Sequence, residues 1–184
     1  MTASKPVSPE VSGSSGVRLC ELVGSLSLAV DLGLGQPMEH VTRSCLLARG
    51  LGRRVGLDVD ELASLYYVTL LGWVGCIADS RDAAAWFGDD IAYRAGVYDL
   101  DMKPLPFLGY LLRHAGGGGS TPRKVGIGAA VVATGARGVQ DSLRGHCQVT
   151  GQIARRLGLG PEVCEPLQQV FARWDGKGLP RGLR

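Results

Sequence analysis

No window of this sequence alternates apolar and polar residues at the period of two that a half-buried strand requires. Its apolar residues recur at helical spacing instead, so the chain is expected to be all-α. From Val17, the residues Leu19, Leu22, Val23, Leu26 and Val30 mark a first helix that stops in the Gly-rich segment Asp31 to Pro37. Pro37 suits the first turn of a second helix, in which Val41, Cys45, Ala48 and Val55 share one face and Arg43, Arg49 and Arg53 lie largely elsewhere. Gly50 and Gly52 weaken that helix by about 1 kcal/mol each relative to alanine, a cost that close packing would offset. Asp58 followed by Glu61 is a capping-box start for a third helix, reaching about Trp73 and carrying Leu62, Leu65, Tyr66, Leu70 and Leu71. It is apolar almost all round and is therefore placed centrally.

Beyond Gly75, Asp79-Ser80 caps a short helix to Phe87, and Gly88-Asp89-Asp90 starts another through about Tyr98. A loop from Asp99 to Pro104 leads to a helix over about Leu105 to His114. Gly116 to Ser120 reads as a solvent-facing flexible linker, compatible with an engineered spacer or a natural loop. Thr121-Pro122 opens a helix through Ala133, and a separate long one follows from about Val139 to Leu157. Pro161 opens the last helix, with Val163, Leu167, Val170 and Phe171 as its apolar stripe and Pro166 delaying or kinking it.

The length of 184 residues fits one domain, residues 17–184, preceded by a Ser-, Pro- and Gly-rich tail, residues 1–16, expected to be disordered. That tail has no apolar core of a signal peptide, and the longest apolar runs fall short of the roughly 18 residues that span a bilayer. A formal charge of +3 without any block of like charges gives no indication of direct nucleic-acid binding. Cys20, Cys45, Cys76, Cys147 and Cys164 are an odd, widely spaced set without a C-x-x-C pair, as expected of reduced thiols in a cytoplasmic protein. Gly126-Ile127-Gly128 is no dinucleotide fingerprint, and no Walker loop exists.

The order of His40 at a helix start, Gly56-Leu57-Asp58, another helix and Leu70-Leu71 resembles the HD superfamily of metal-dependent phosphohydrolases, specifically its HD-GYP branch. A second landmark, from Arg173 through Trp174, Asp175, Gly176, Lys177, Gly178, Leu179 and Pro180 to Leu183, is similar to that branch's Arg-Trp-Asp-Gly-Lys-Gly-Tyr-Pro block. His146 and the helix to Leu157 match the region between them. The resemblance covers roughly His40 to Arg184 and implies an HD-domain-like helical bundle. In the family the chain continues past this point into helices that complete the metal site, so the resemblance implies a truncated chain or a shortened relative.

The departures are equally specific. The family's Leu-Leu-His-Asp-Ile-Gly-Lys segment reads Leu70-Leu71-Gly72-Trp73-Val74-Gly75-Cys76, and its His-His pair aligns with Val170-Phe171. A multinuclear centre needs several converging N and O ligands to hold its ions and activate a water, and two imidazoles, His40 and His146, are too few. By resemblance, then, no catalytic residue, metal or cofactor is expected. The alternative is a phosphodiesterase for a cyclic dinucleotide or nucleotide that holds Fe, Mn or Zn through His40, His146 and substitute carboxylates such as Asp79 or Asp89. Those aspartates, with Asp90, also read simply as helix-start caps, and His114 as a cation near a helix end.

Trp73 in place of a carboxylate either fills the old cavity or, with Cys76, Val170 and Phe171, lines an apolar effector pocket. Asp175 and Lys177 are expected to shape their Gly-rich loop, and Cys76 to be a buried thiol. The eroded motifs resemble HD-like domains found N-terminal to LuxR-type regulators in high-GC bacteria. That association implies a sensory or dimerising module of a transcriptional regulator, with a small-molecule effector and a second copy of the chain as partners.

Overall fold

A computed structural model of the chain describes residues 16–77, 80–97, 99–100, 103–173, 175–176 and 178–180. The expected N-terminal tail over residues 1–15, Asp79, Tyr98, Trp174 and Lys177 lie outside the described residues. The helices are α1 (Leu19–Gly33), α2 (His40–Val55), α3 (Val59–Leu71), α4 (Ser80–Phe87), α5 (Asp90–Val97), α6 (Pro104–His114), α7 (Thr121–Arg156) and α8 (Pro161–Leu167), with a 3-10 turn at Val74–Ile77. Among the described residues the extended structure is limited to an isolated antiparallel bridge between Phe171 and Leu179. The bundle is all-α, as the periodicity requires.

One apolar core joins α1, α2, α3, the 3-10 turn, the C-terminal part of α7 and α8. Val23 and Val30, Val41 and Cys45, Leu70 and Leu71, Val74, Ala154, and Val163 and Leu167 meet there, all buried. α3 begins where the sequence indicates: the Asp58 carboxylate accepts from the Asp60 and Glu61 amides at 2.9 Å, and Glu61 reaches back to the Asp58 amide. Only its end is fully buried, because the side chains from Glu61 to Thr69 are partly or fully exposed. α2 packs on α3 through Gly52, where a Cβ would come within 3.0 Å of Leu57, Leu62 and Leu65 side-chain carbons. Gly50, by contrast, faces open space.

Several sequence expectations need correction. Pro37 precedes α2 rather than entering it, and accepts the His40 amide through its carbonyl at 3.1 Å. Val55 is 68% exposed, since the buried face of α2 runs through Val41, Cys45 and Gly52 and has turned away by the last residue. The two helices expected over 121–133 and 139–157 are one, the 36-residue α7, which Gly135 and Gly138 do not interrupt. α8 ends at Leu167, directly after Pro166, so Val170 and Phe171 lie beyond it in a turn and a bridge.

The Gly116–Ser120 segment is a packed turn rather than a free spacer. The Gly116 amide donates to the Trp86 carbonyl at 2.7 Å, and a Cβ on Gly117 would collide with the Phe87 carbonyl. It closes a smaller aromatic layer in which Phe87 stacks on Tyr93 at 4.0 Å and Tyr110 donates to the Tyr93 carbonyl. His114 belongs to that layer, with Nδ1 3.0 Å from the Tyr110 carbonyl and its ring beside Tyr110. No single helix among the described residues is long and apolar enough to cross a membrane.

Candidate functional site

Gly72 caps α3 and lets the chain turn into the 3-10 segment, which lies directly on α7. That approach depends on Gly75. A Cβ there would run into the His146 carbonyl and the Thr150 hydroxyl and stand 2.8 Å from the His146 ring. His146 is therefore enclosed, at 4% exposure, between α7 and the turn. Its Nε2 lies 2.7 Å from the Gly72 carbonyl oxygen, which only accepts, so Nε2 carries the proton and donates. Its Nδ1 is then the acceptor, and the Cys76 thiol stands 3.4 Å away as the donor. Cys76 is half-buried rather than fully buried.

Around this imidazole the two motif segments, Gly72-Trp73 and Val170-Phe171, come together. Trp73 meets His146 edge-on with ring centroids 6.2 Å apart and Phe171 at 6.3 Å, while His146 and Phe171 lie 4.9 Å apart. Val170 packs against the core, and its Cγ1 is 4.0 Å from where a Gly72 Cβ would stand. Gly72-Trp73 and Val170-Phe171 thus occupy one place despite their separation in the chain. Phe171 is fixed by the bridge, its carbonyl accepting the Leu179 amide at 2.9 Å. A Cβ on Gly178 would collide with that same carbonyl and the Arg173 amide, so the loop needs glycine there. Asp175 accepts from Arg173 Nε at 3.1 Å and Nη2 at 2.9 Å, which makes it a loop-shaping residue.

Among the described residues the other candidate carboxylates are engaged elsewhere. The Asp89 carboxylate accepts the Ala92 amide at 2.9 Å and so caps α5, while Asp90 pairs with Arg94 at 3.7 Å. Among the described residues no group of three or more His, Cys, Asp or Glu side chains is placed to hold a metal ion. Both nitrogens of His146 face protein partners. Among the described residues the donor set therefore does not fit a binuclear Fe, Mn or Zn centre.

His40 opens α2 and is half-buried. Its neighbourhood contains a residue the sequence reading passed over. Asp31, fully buried at the end of α1, accepts the Val41 amide through Oδ1 at 3.0 Å. It supplies the N-terminal cap that Glu39, in a left-handed conformation with no side-chain bond to the helix amides, does not give α2. The signal was present in the sequence: Pro37-Met38-Glu39 offers no Ser, Thr, Asp or Asn cap just before the helix.

Trp73, Cys76, Val170 and Phe171 pack around His146 and line neither of two surface clefts. One, of about 930 Å³, runs along α7 past Arg144, Cys147 and Arg155 to Leu179 and Pro180. The other, of about 640 Å³, lies between Asp89, Asp90, Arg113 and His114. Burial pushes the thiols of Cys45 and Cys147 above their ordinary value, and does the same to the hydroxyls of Tyr66 and Tyr110.

The chain is similar to a 3'3'-cGAMP-specific phosphodiesterase 3 from Vibrio cholerae serotype O1, with 24% identity over 163 residues. That alignment takes in 88% of this chain but 35% of the relative, so the chain spans about a third of the relative's length. No family model and no solved structure matches the chain. The likeness supports the HD-type resemblance carried by the motifs.

Proposed function

We propose that this chain is an HD-GYP-like, phosphodiesterase-type domain whose metal centre has given way to aromatic and imidazole packing, and which serves as a non-catalytic module in a bacterial regulator. The observation that carries this reading is the meeting of Gly72-Trp73 with Val170-Phe171 around a His146 whose two nitrogens face Gly72 and Cys76. Side chains at all four aligned positions are apolar or absent, so they offer no lone pair to a metal ion. In this reading the domain senses or dimerises for a LuxR-type transcriptional partner in the cytoplasm, and the Trp73 cluster is where a small effector would act.

The second reading is a metal-dependent phosphodiesterase acting on a cyclic dinucleotide. The likeness over 88% of the chain to a phosphodiesterase named for 3'3'-cGAMP favours it. Incubation with Mn and either 3'3'-cGAMP or cyclic di-GMP separates the two. The non-catalytic reading predicts no linear product, with or without binding. Turnover that disappears in His40→Ala or His146→Ala would overturn it in favour of the enzyme.

A further inference from the structure

We propose that Cys76 and His146 form a thiol–imidazole pair that makes Cys76 the peroxide-reactive cysteine of this chain. The Gly72 carbonyl, 2.7 Å from Nε2, holds the imidazole in the tautomer that turns an unprotonated Nδ1 toward the Cys76 sulfur at 3.4 Å. An imidazole acceptor on a thiol favours the thiolate–imidazolium ion pair, and the carbonyl on the far nitrogen steadies the imidazolium. His146 is shut away from water at 4% exposure, so this interaction is little screened, while Cys76 itself is only half-buried. One turn along α7, Thr150 is fully buried and its hydroxyl has no hydrogen-bond partner. That hydroxyl abuts Gly75, the residue before Cys76, and supplies a spare donor beside the pair.

The other cysteines are placed differently. Cys45 and Cys147 are held in their protonated form by burial, and Cys164 is buried with its thiol donating to the Leu159 carbonyl at 3.3 Å. Cys20 is half-buried, and its carbonyl accepts the Tyr66 hydroxyl.

The oxidant class is a hydroperoxide, with hydrogen peroxide the simplest. The thiolate sulfur attacks one peroxide oxygen, an S–O bond forms and the O–O bond breaks. The departing hydroxide takes the proton from Nδ1 and leaves as water. Sulfur is oxidised by the same electron pair that reduces the peroxide, and Cys76 becomes a sulfenic acid. The added oxygen sits where the 3-10 turn packs on α7, so the oxidation state of one sulfur bears directly on the junction of the two motifs. This rests on the non-catalytic reading, in which both nitrogens of His146 face Gly72 and Cys76 rather than a metal ion.

The test treats the full chain with hydrogen peroxide at mildly acidic pH, traps sulfenic acid with dimedone and maps the label by mass spectrometry. Cys76 is expected to label at least about tenfold faster than the equally half-buried Cys20 and Cys147, because the thiolate is the reacting form. In His146→Gln the Cys76 rate should fall to the Cys20 level while Cys20 and Cys147 stay unchanged. Equal labelling of Cys76, Cys20 and Cys147 in the unmodified chain overturns the proposal even if that variant fails to fold. Retention of the fast rate in a folded His146→Gln overturns the role of the imidazole.

Discussion

Trp73 lies in T-shaped contact with both Phe171 and His146, which sit closer to each other, and it packs against the core. Truncation to alanine removes those contacts and leaves a cavity that Gly72 on one side is too small to fill. Trp73→Ala is therefore expected to lower stability by about 2 to 4 kcal/mol, somewhat under the range for a fully buried tryptophan because Trp73 is half-buried. A urea titration checks this, and an unchanged midpoint would show that the indole is not packing the site. A second residue-scale expectation concerns alkaline pH. Burial raises the thiols of Cys45 and Cys147 above their ordinary 9.0, so the folded chain holds those protons more tightly than the unfolded chain does. Their contribution is complete below pH 9.0 and is lost as pH rises through the raised folded values. Melting temperature should accordingly fall above that pH, and Cys45→Ala should make the fall shallower. At this scale the motif singles out Gly72, Trp73, Val170 and Phe171 in the sequence, and the structure brings these four together. The Cys76–His146 bond could not be read there, since the partners are remote in the chain and only the packing of the turn on α7 joins them.

At the level of elements, the junction of α2 and α3 is where local signals and packing agree best. Asp58 caps α3 with two amide bonds and is answered by Glu61, so Asp58→Ala should cost about 1 kcal/mol and lower the melting temperature by several degrees, about what a lost cap costs elsewhere. Asp58→Asn, which keeps an acceptor, should recover most of it. The start of α3 was legible for the same reason: a capping box is written in adjacent residues. α7 was not, because Gly135 and Gly138 look like a break, yet the helix is carried through them by the layers it packs against on either side. The end of α8 was misplaced for the opposite reason, since apolar Val170 and Phe171 continue a helical pattern but are drawn out of it by the loop that returns through Leu179. The Gly116–Ser120 run shows how composition misleads: Gly117 lies too close to the Phe87 carbonyl for a side chain, and Gly116 and Gly118 adopt positive φ.

On the scale of the whole molecule, two motif segments about a hundred residues apart in the chain meet beside one another in an all-α bundle, which is the relation the phosphohydrolase resemblance implies. What fills the meeting point is an imidazole between a thiol and a carbonyl, ringed by aromatic side chains. Of the carboxylates Asp79, Asp89 and Asp90 that could have rebuilt a metal centre, Asp79 lies outside the described residues, while Asp89 and Asp90 cap and brace α5. The central question is whether this junction holds metal. Its most direct test is elemental analysis of the chain purified from cells supplied with Fe, Mn and Zn. The account predicts metal well below one ion per chain, removed by gel filtration without loss of helicity. About one or more tightly held ions per chain, with a melting temperature that drops on chelation, would contradict it.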